Sequence, residues 1–168
     1  TARAMRLKTS YSAREVAALT GLTARQLQTW DATGVFAPAI APRRTAQGGF
    51  TERRYTPVDV LELAALADLR RRGFTPALLR AMMDTLRTCF RRRLAETLDD
   101  AGELRLLTDG RGLFLRTQQG HVFDLLADPS QPLVTADGLP LEAVRPAGRR
   151  RKVSRSGKRR RASRPAAG

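Results

Sequence analysis

Between Tyr11 and Gly34 the apolar positions fall in two short runs at helical spacing, Val16 with Leu19 and Leu27 with Trp30, broken by Gly21. This pattern predicts two short helices. Ser12 followed by Glu15 three residues on is a capping-box signature for the first, and Ala17 and Ala18 are small enough to let a second helix approach. Gly21 suits a left-handed helix end and Thr23 caps the next helix. Arg25, Gln26 and Gln28 then stand on its exposed N-terminal part, with side chains that fork onto guanine or adenine edges. A DNA-reading helix-turn-helix fits this layout, and so does a helical hairpin within an unrelated fold.

From Val35 to Tyr55 the chain is punctuated by Pro38, Pro42 and Gly48-Gly49. A ribbon is expected here, reversing at the glycine pair, with Phe50 and Tyr55 as anchors and Arg43, Arg44, Arg53 and Arg54 projecting toward a phosphate backbone. A basic loop is the alternative. Thr56-Pro57 and Thr75-Pro76 are each a cap followed by a first-turn proline. In the first of these helices Val58, Leu61, Ala65 and Leu69 trace the buried face, widened by Leu63 and Leu66, and Gly73 ends it. In the second, Leu79, Met82, Leu86, Phe90, Leu94 and Leu98 continue one stripe to about Asp99. A stripe of that length is either covered by the C-terminal segment or paired with a second copy, and pairing through Met82, Leu86, Phe90 and Leu94 is the favoured expectation. Arg91, Arg92 and Arg93 are expected on a solvated face.

Beyond Leu104 the period shortens. Leu104 to Leu107, Leu113 to Arg116 and His121 to Leu126 predict an antiparallel meander, with a fourth strand at Leu133 to Thr135 and either a strand or a helical turn at Leu139 to Val144. The fold class expected is mainly α: a winged helix-turn-helix domain (1–75), a long dimerisation helix (76–100), a small β-rich domain (101–145) and a disordered tail (146–168).

Charge changes the picture most. Lys plus Arg number 31 against 16 acidic residues, a net charge of +15, which calls for a polyanionic partner, most simply double-stranded DNA. Eleven basic residues and no acidic one lie between Arg145 and Arg164, so the preceding 144 residues are only mildly basic. Within that polycation Arg149, Arg150, Arg151, Lys152, Lys158, Arg159, Arg160 and Arg161 are candidates for contact with DNA irrespective of its sequence. Cys89 is the lone cysteine, which excludes an intramolecular disulfide and a thiolate cluster. It is expected to be a small buried hydrophobe. No apolar run is long enough to span a bilayer and no secretory leader is evident, so a cytoplasmic protein at the nucleoid is expected.

The order of these elements, and the segments Tyr11-Ser12-Ala13-Arg14-Glu15-Val16-Ala17, Thr20 to Leu27, Gly34-Val35, Gly49-Phe50, Arg54-Tyr55-Thr56 and Leu69 to Thr75, resemble the MerR family of bacterial transcription regulators over about residues 10–100. The resemblance implies a winged helix-turn-helix that binds a dyad-symmetric promoter as a homodimer paired through long helices, and that bends and untwists the DNA. It implies that Arg25 enters the major groove, that Arg54 and the other ribbon arginines grip the backbone, and that the turn at Gly73-Phe74 forms a second wing flanked by Arg70, Arg71 and Arg72. The candidate DNA-contacting set is Ser12, Thr23, Ala24, Arg25, Gln26, Gln28, Arg43, Arg44, Arg53, Arg54, Tyr55 and Arg72. The chain departs from the family where Gln28 replaces a frequent arginine and Trp30 a usual tyrosine, in its longer ribbon, and in lacking the paired cysteines of metal-sensing members.

One histidine, His121, expected to be structural, and one cysteine leave no nucleophilic dyad, and the acidic pairs carry no metal-ligand spacing, so neither catalysis nor a cofactor or metal is expected. Three functions of different class follow: a sequence-specific regulator whose meander senses a ligand or contacts RNA polymerase or another protein, an architectural DNA-binding protein dominated by its tail, and an interaction module with DNA contact secondary.

Overall fold

Each of the four helices starts where its cap dictates. In a computed structural model that describes residues 8–49, 51–134 and 138–146, α1 (Ala13–Thr20), α2 (Ala24–Thr33), α3 (Pro57–Arg71) and α4 (Pro76–Thr85) are capped by Ser12, Thr23, Thr56 and Thr75. Three of these are reciprocal boxes. Glu15 N–H donates to Ser12 Oγ at 3.2 Å and Ser12 N–H to Glu15 Oε1 at 3.3 Å, while Gln26 N–H reaches Thr23 Oγ1 at 3.0 Å and Thr23 N–H reaches Gln26 Oε1 at 2.9 Å. Gly21, at φ +79°, makes the left-handed turn between α1 and α2. Thr23→Ala is expected to cost about 1 kcal/mol, the usual worth of such a cap, read as a shifted urea midpoint at unchanged slope.

Strand β1 (Tyr11–Ser12) pairs antiparallel with β2 (Arg54–Tyr55), in register Tyr11↔Tyr55 and Ser12↔Arg54. This clamps the end of the ribbon to the start of the helix-turn-helix. The C-terminal sheet contains β3 (Leu104–Thr108), β4 (Leu113–Thr117), β5 (Val122–Asp124) and β6 (Glu142–Ala143) in the order β5-β4-β3-β6. The three-strand meander forms as its alternation predicts. The fourth strand is β6, within the segment whose sequence allowed either strand or turn, and it pairs with β3. Leu133 and Val134 are not in a strand, although Leu133 N–H donates to Val122 O at 2.7 Å, and Thr135 lies outside the described residues.

Two helical expectations are corrected. Val58 and Leu61, predicted to face the core, are 41% and 39% exposed; Leu63, Ala65, Leu66 and Leu69 are buried as predicted, and Asp59 and Glu62 are buried beside them. Counting only apolar positions hid two acids that share that face. The long helix also ends early. α4 gives way to a π-helical turn at Leu86–Phe90, Arg91 adopts a left-handed φ of +50°, and the chain reverses into a 3-10 turn at Leu94–Thr97.

The cause of the reversal is electrostatic and apolar together. The guanidinium of Arg93 pairs with Glu62 and lies 3.5 Å from Asp59 Oδ1, and Ala95 N–H donates to Glu62 Oε2 at 3.2 Å. Asp59 and Glu62 are only 1% and 2% exposed, so a counter-charge at this spot outweighs continuing a helix into solvent. Arg93, expected on a solvated face, is the anchor.

Met82, Leu86 and Leu94 are consequently buried within the chain itself, and Phe90 packs edge-on against Phe123 with ring centroids 5.4 Å apart. The side chains expected to form a dimer seam are committed to intramolecular packing. One apolar core runs from Val16, Leu27 and Trp30 through Leu66, Leu86 and Leu94 to Leu106, Leu115 and Val144, and Leu107, Phe114 and Val122 form a smaller cluster on the other face of the sheet. Alternation along β3 and β4 sends Leu106 and Leu115 to the first and Leu107 and Phe114 to the second. Cys89 is exposed on the π-helical turn, not buried, and its thiol is expected to react fully with a disulfide reagent in native buffer at nearly the rate seen in denaturant. Among the described residues no helix is long and apolar enough to cross a membrane, and no group of three or more His, Cys, Asp or Glu is placed to hold a metal.

Candidate nucleic-acid interface

Helix α2 is held by Leu27 and Trp30, both buried, and presents Ala24, Arg25, Gln28 and Thr29 to solvent. The box at its start fixes where that exposed face begins. Arg25 and Gln28, three residues apart, stand on one side of the helix with no hydrogen bond to another described side chain. Gln26 is engaged differently, since its Oε1 already accepts the Thr23 N–H. Ser12 and Thr23 accept capping bonds through their oxygens, and each hydroxyl keeps its proton for an acceptor such as a phosphate.

The ribbon is a hairpin. Thr51 N–H donates to Arg43 O and Arg43 N–H to Thr51 Oγ1, both at 2.7 Å; Thr45 and Gly49 close the tip, with Gly48 at φ +89° making the reversal. Phe50, the proposed anchor, lies outside the described residues. Arg43 and Arg44 project from this hairpin, exposed and without an ion pair among the described residues, as does Arg14 on α1.

The other ribbon arginines do not project freely. Arg53 Nε donates to Asp31 Oδ2 at 2.9 Å, tying the ribbon to α2, and Arg54 Nη2 donates to Ser10 Oγ at 2.8 Å and to Ser10 O at 3.3 Å. Both are half-buried braces whose sequence partners, Asp31 and Ser10, gave no periodic or motif signal. Tyr55 is 1% exposed and its buried hydroxyl has no hydrogen-bond partner among the described residues. Desolvation raises its pKa, and burial removes it from the DNA-contacting set. Arg72 bridges Asp68 at 3.0 Å and Glu142 at 3.3 Å, linking α3 to β6. Arg71 Nη1 reaches Thr20 O at 3.4 Å and lies over the α1–α2 turn, where a Cβ on Gly21 would approach it to 3.2 Å. The tail residues Arg149, Arg150, Arg151, Lys152, Lys158, Arg159, Arg160 and Arg161 lie outside the described residues.

The surface thus brings together a capped, core-anchored helix carrying Arg25 and Gln28 and a hairpin carrying Arg43 and Arg44, braced to each other through Arg53 and Asp31. The family model described as MerR HTH family regulatory protein matches residues 11–86, from the first paired strand to the first residue of the π-helical turn. No curated protein and no solved structure matches the chain. Over residues 11–86, the helix-turn-helix, its ribbon and the two helices that support them, the chain is similar to the MerR helix-turn-helix family of regulatory proteins.

Proposed function

We propose that the chain is a transcription regulator that reads a double-stranded DNA sequence through Arg25 and Gln28 of α2 and grips the adjacent backbone through Arg43 and Arg44 of the hairpin. The observation that carries this reading is the exposed, unpaired Arg25–Gln28 face on a helix whose opposite face is fixed in the core. The N–H groups at a helix start favour phosphate, while side chains one turn further on reach base edges.

The family implies a homodimer on a dyad-symmetric promoter site, with the DNA distorted between half-sites, and we extend both to this chain. Pairing then uses surface other than Met82, Leu86 and Leu94, and two copies would place their α2 helices about one DNA turn, ~34 Å, apart. The C-terminal sheet is the surface proposed for contact with RNA polymerase or another protein. Eleven basic residues between Arg145 and Arg164 favour a second reading, an architectural protein whose affinity comes from its tail.

Selection of bound fragments from random duplex DNA, with the full chain and with one ending at Arg145, tests both. A shared dyad-symmetric motif supports the regulator; binding without any motif, lost on removing the tail, supports the architectural protein.

A further inference from the structure

Asp59 and Glu62 do more than anchor the chain reversal. They line a cleft of about 500 Å³ bounded by the loop after α2, by α3 and by the segment from Met83 to Leu94. Val35, Phe36, Met83 and Leu86 supply apolar walls, and the volume falls within the range of small-molecule sites. Three carboxylate oxygens are satisfied: Asp59 Oδ2 accepts the N–H groups of Ala39 and Thr56 at 3.0 and 2.9 Å, Glu62 Oε2 accepts that of Ala95, and Glu62 Oε1 takes Arg93. Asp59 Oδ1 is buried and has no hydrogen-bond donor among the described residues; the Arg93 guanidinium is 3.5 Å from it.

The charges do not balance. Two buried carboxylates face one guanidinium whose side chain is 53% exposed, while the neighbouring Arg87 and Arg92 are paired with Asp84 and Glu103. A buried acceptor without a donor, beside an uncompensated negative charge, is costly and favours a ligand that brings both a cation and N–H groups. Apolar walls favour an organic cation over a hydrated metal ion.

We propose that this cleft binds a small organic cation, an amidinium or primary ammonium carried on an apolar body, with its N–H groups on Asp59 Oδ1 and Glu62 and its body against Phe36 and Met83. Arg93 is the internal competitor for the same carboxylates. Because Asp59 also accepts the Ala39 N–H, just before the bridge between Ile40 and Arg54 that roots the ribbon, occupancy is felt at the base of the hairpin.

The test uses the full chain without DNA, titrated with benzamidine, with the neutral benzyl alcohol and with benzoate, and followed by amide chemical shifts and calorimetry. A net charge of +15 opposes diffuse uptake of a cation, so saturable benzamidine binding reports a built acidic site. The expected result is saturable binding centred on the amides of Phe36, Ala39 and Ala95, with both other probes about tenfold weaker or worse, the discrimination of a charge-assisted contact.

Glu62→Gln should weaken benzamidine about tenfold and Met83→Trp, which fills the cleft, should abolish saturation. Arg93→Ala should tighten binding by removing the competitor; should that variant unfold, the other two decide. The proposal is overturned if benzamidine does not saturate, if benzyl alcohol binds equally well, or if Glu62→Gln and Met83→Trp both leave binding unchanged.

Discussion

Arg25→Ala is expected to lower affinity for the selected DNA site by about 1 to 3 kcal/mol more than affinity for random duplex, the discrimination of one bidentate arginine–base contact. Fold effects are small by construction, because Arg25 is exposed and its side chain makes no hydrogen bond or ion pair among the described residues, while α2 is held by Leu27, Trp30 and the Thr23–Gln26 box. The salt slope separates roles. A residue reading bases changes the specific constant and leaves the slope of log affinity against log salt nearly intact, whereas one neutralising a phosphate reduces it by about one. Paired titrations on cognate and scrambled duplex at several salt concentrations make the measurement, and an equal loss on both sequences would remove Arg25 from base reading.

Arg93→Ala is expected to destabilise the folded chain by about 2 to 4 kcal/mol at neutral pH, the lower part of the range for breaking a buried ion pair because the arginine itself is half in solvent. The loss comes from what stays behind, Asp59 and Glu62 buried without a counter-charge. Its pH dependence has a definite sign. Burial raises the Glu62 pKa against the pull of Arg93 and the Ala95 N–H. A carboxyl with a raised folded pKa binds protons more tightly folded than unfolded, so its contribution to stability is full below the unfolded carboxylate range and is lost as pH climbs through the raised value. Removing Arg93 leaves desolvation less opposed, so the gap between variant and parent should shrink as pH falls toward the carboxylate range. Urea unfolding at stepped pH reads this, and a gap independent of pH would show that Arg93 acts through packing alone.

Local rules carried most of the head. Caps at Ser12, Thr23, Thr56 and Thr75 and the glycine at 21 set helix starts and the turn because each acts within three or four residues. The meander was legible for the same reason. What the sequence hid was set by partners distant along the chain. The stripe from Leu79 to Leu98 has the period of one helix, and the partners that turn the chain back, Glu62 standing 31 residues before Arg93 among them, lie outside that period. On the candidate surface, Arg25, Gln28, Arg43 and Arg44 stand exposed as expected, but Arg53, Arg54 and Arg72 are braces whose partners Asp31, Ser10 and Glu142 carry no motif, and Tyr55 is core. An arginine in a ribbon reads the same whether it grips a phosphate or a neighbouring side chain.

The shared core has a consequence for how the chain comes apart. Leu106 and Leu115 of the sheet, with Val144 just after β6, close over the same cluster that holds Trp30 and Leu27 beneath α2. The helix-turn-helix head is not detachable: cutting after residue 100 would strip the cover from Leu86 and Leu94 and loosen the helix that carries Arg25. Heat or denaturant should therefore melt head and sheet in one transition, and anything that pulls the sheet toward a partner protein would be felt as strain at the exposed face of α2.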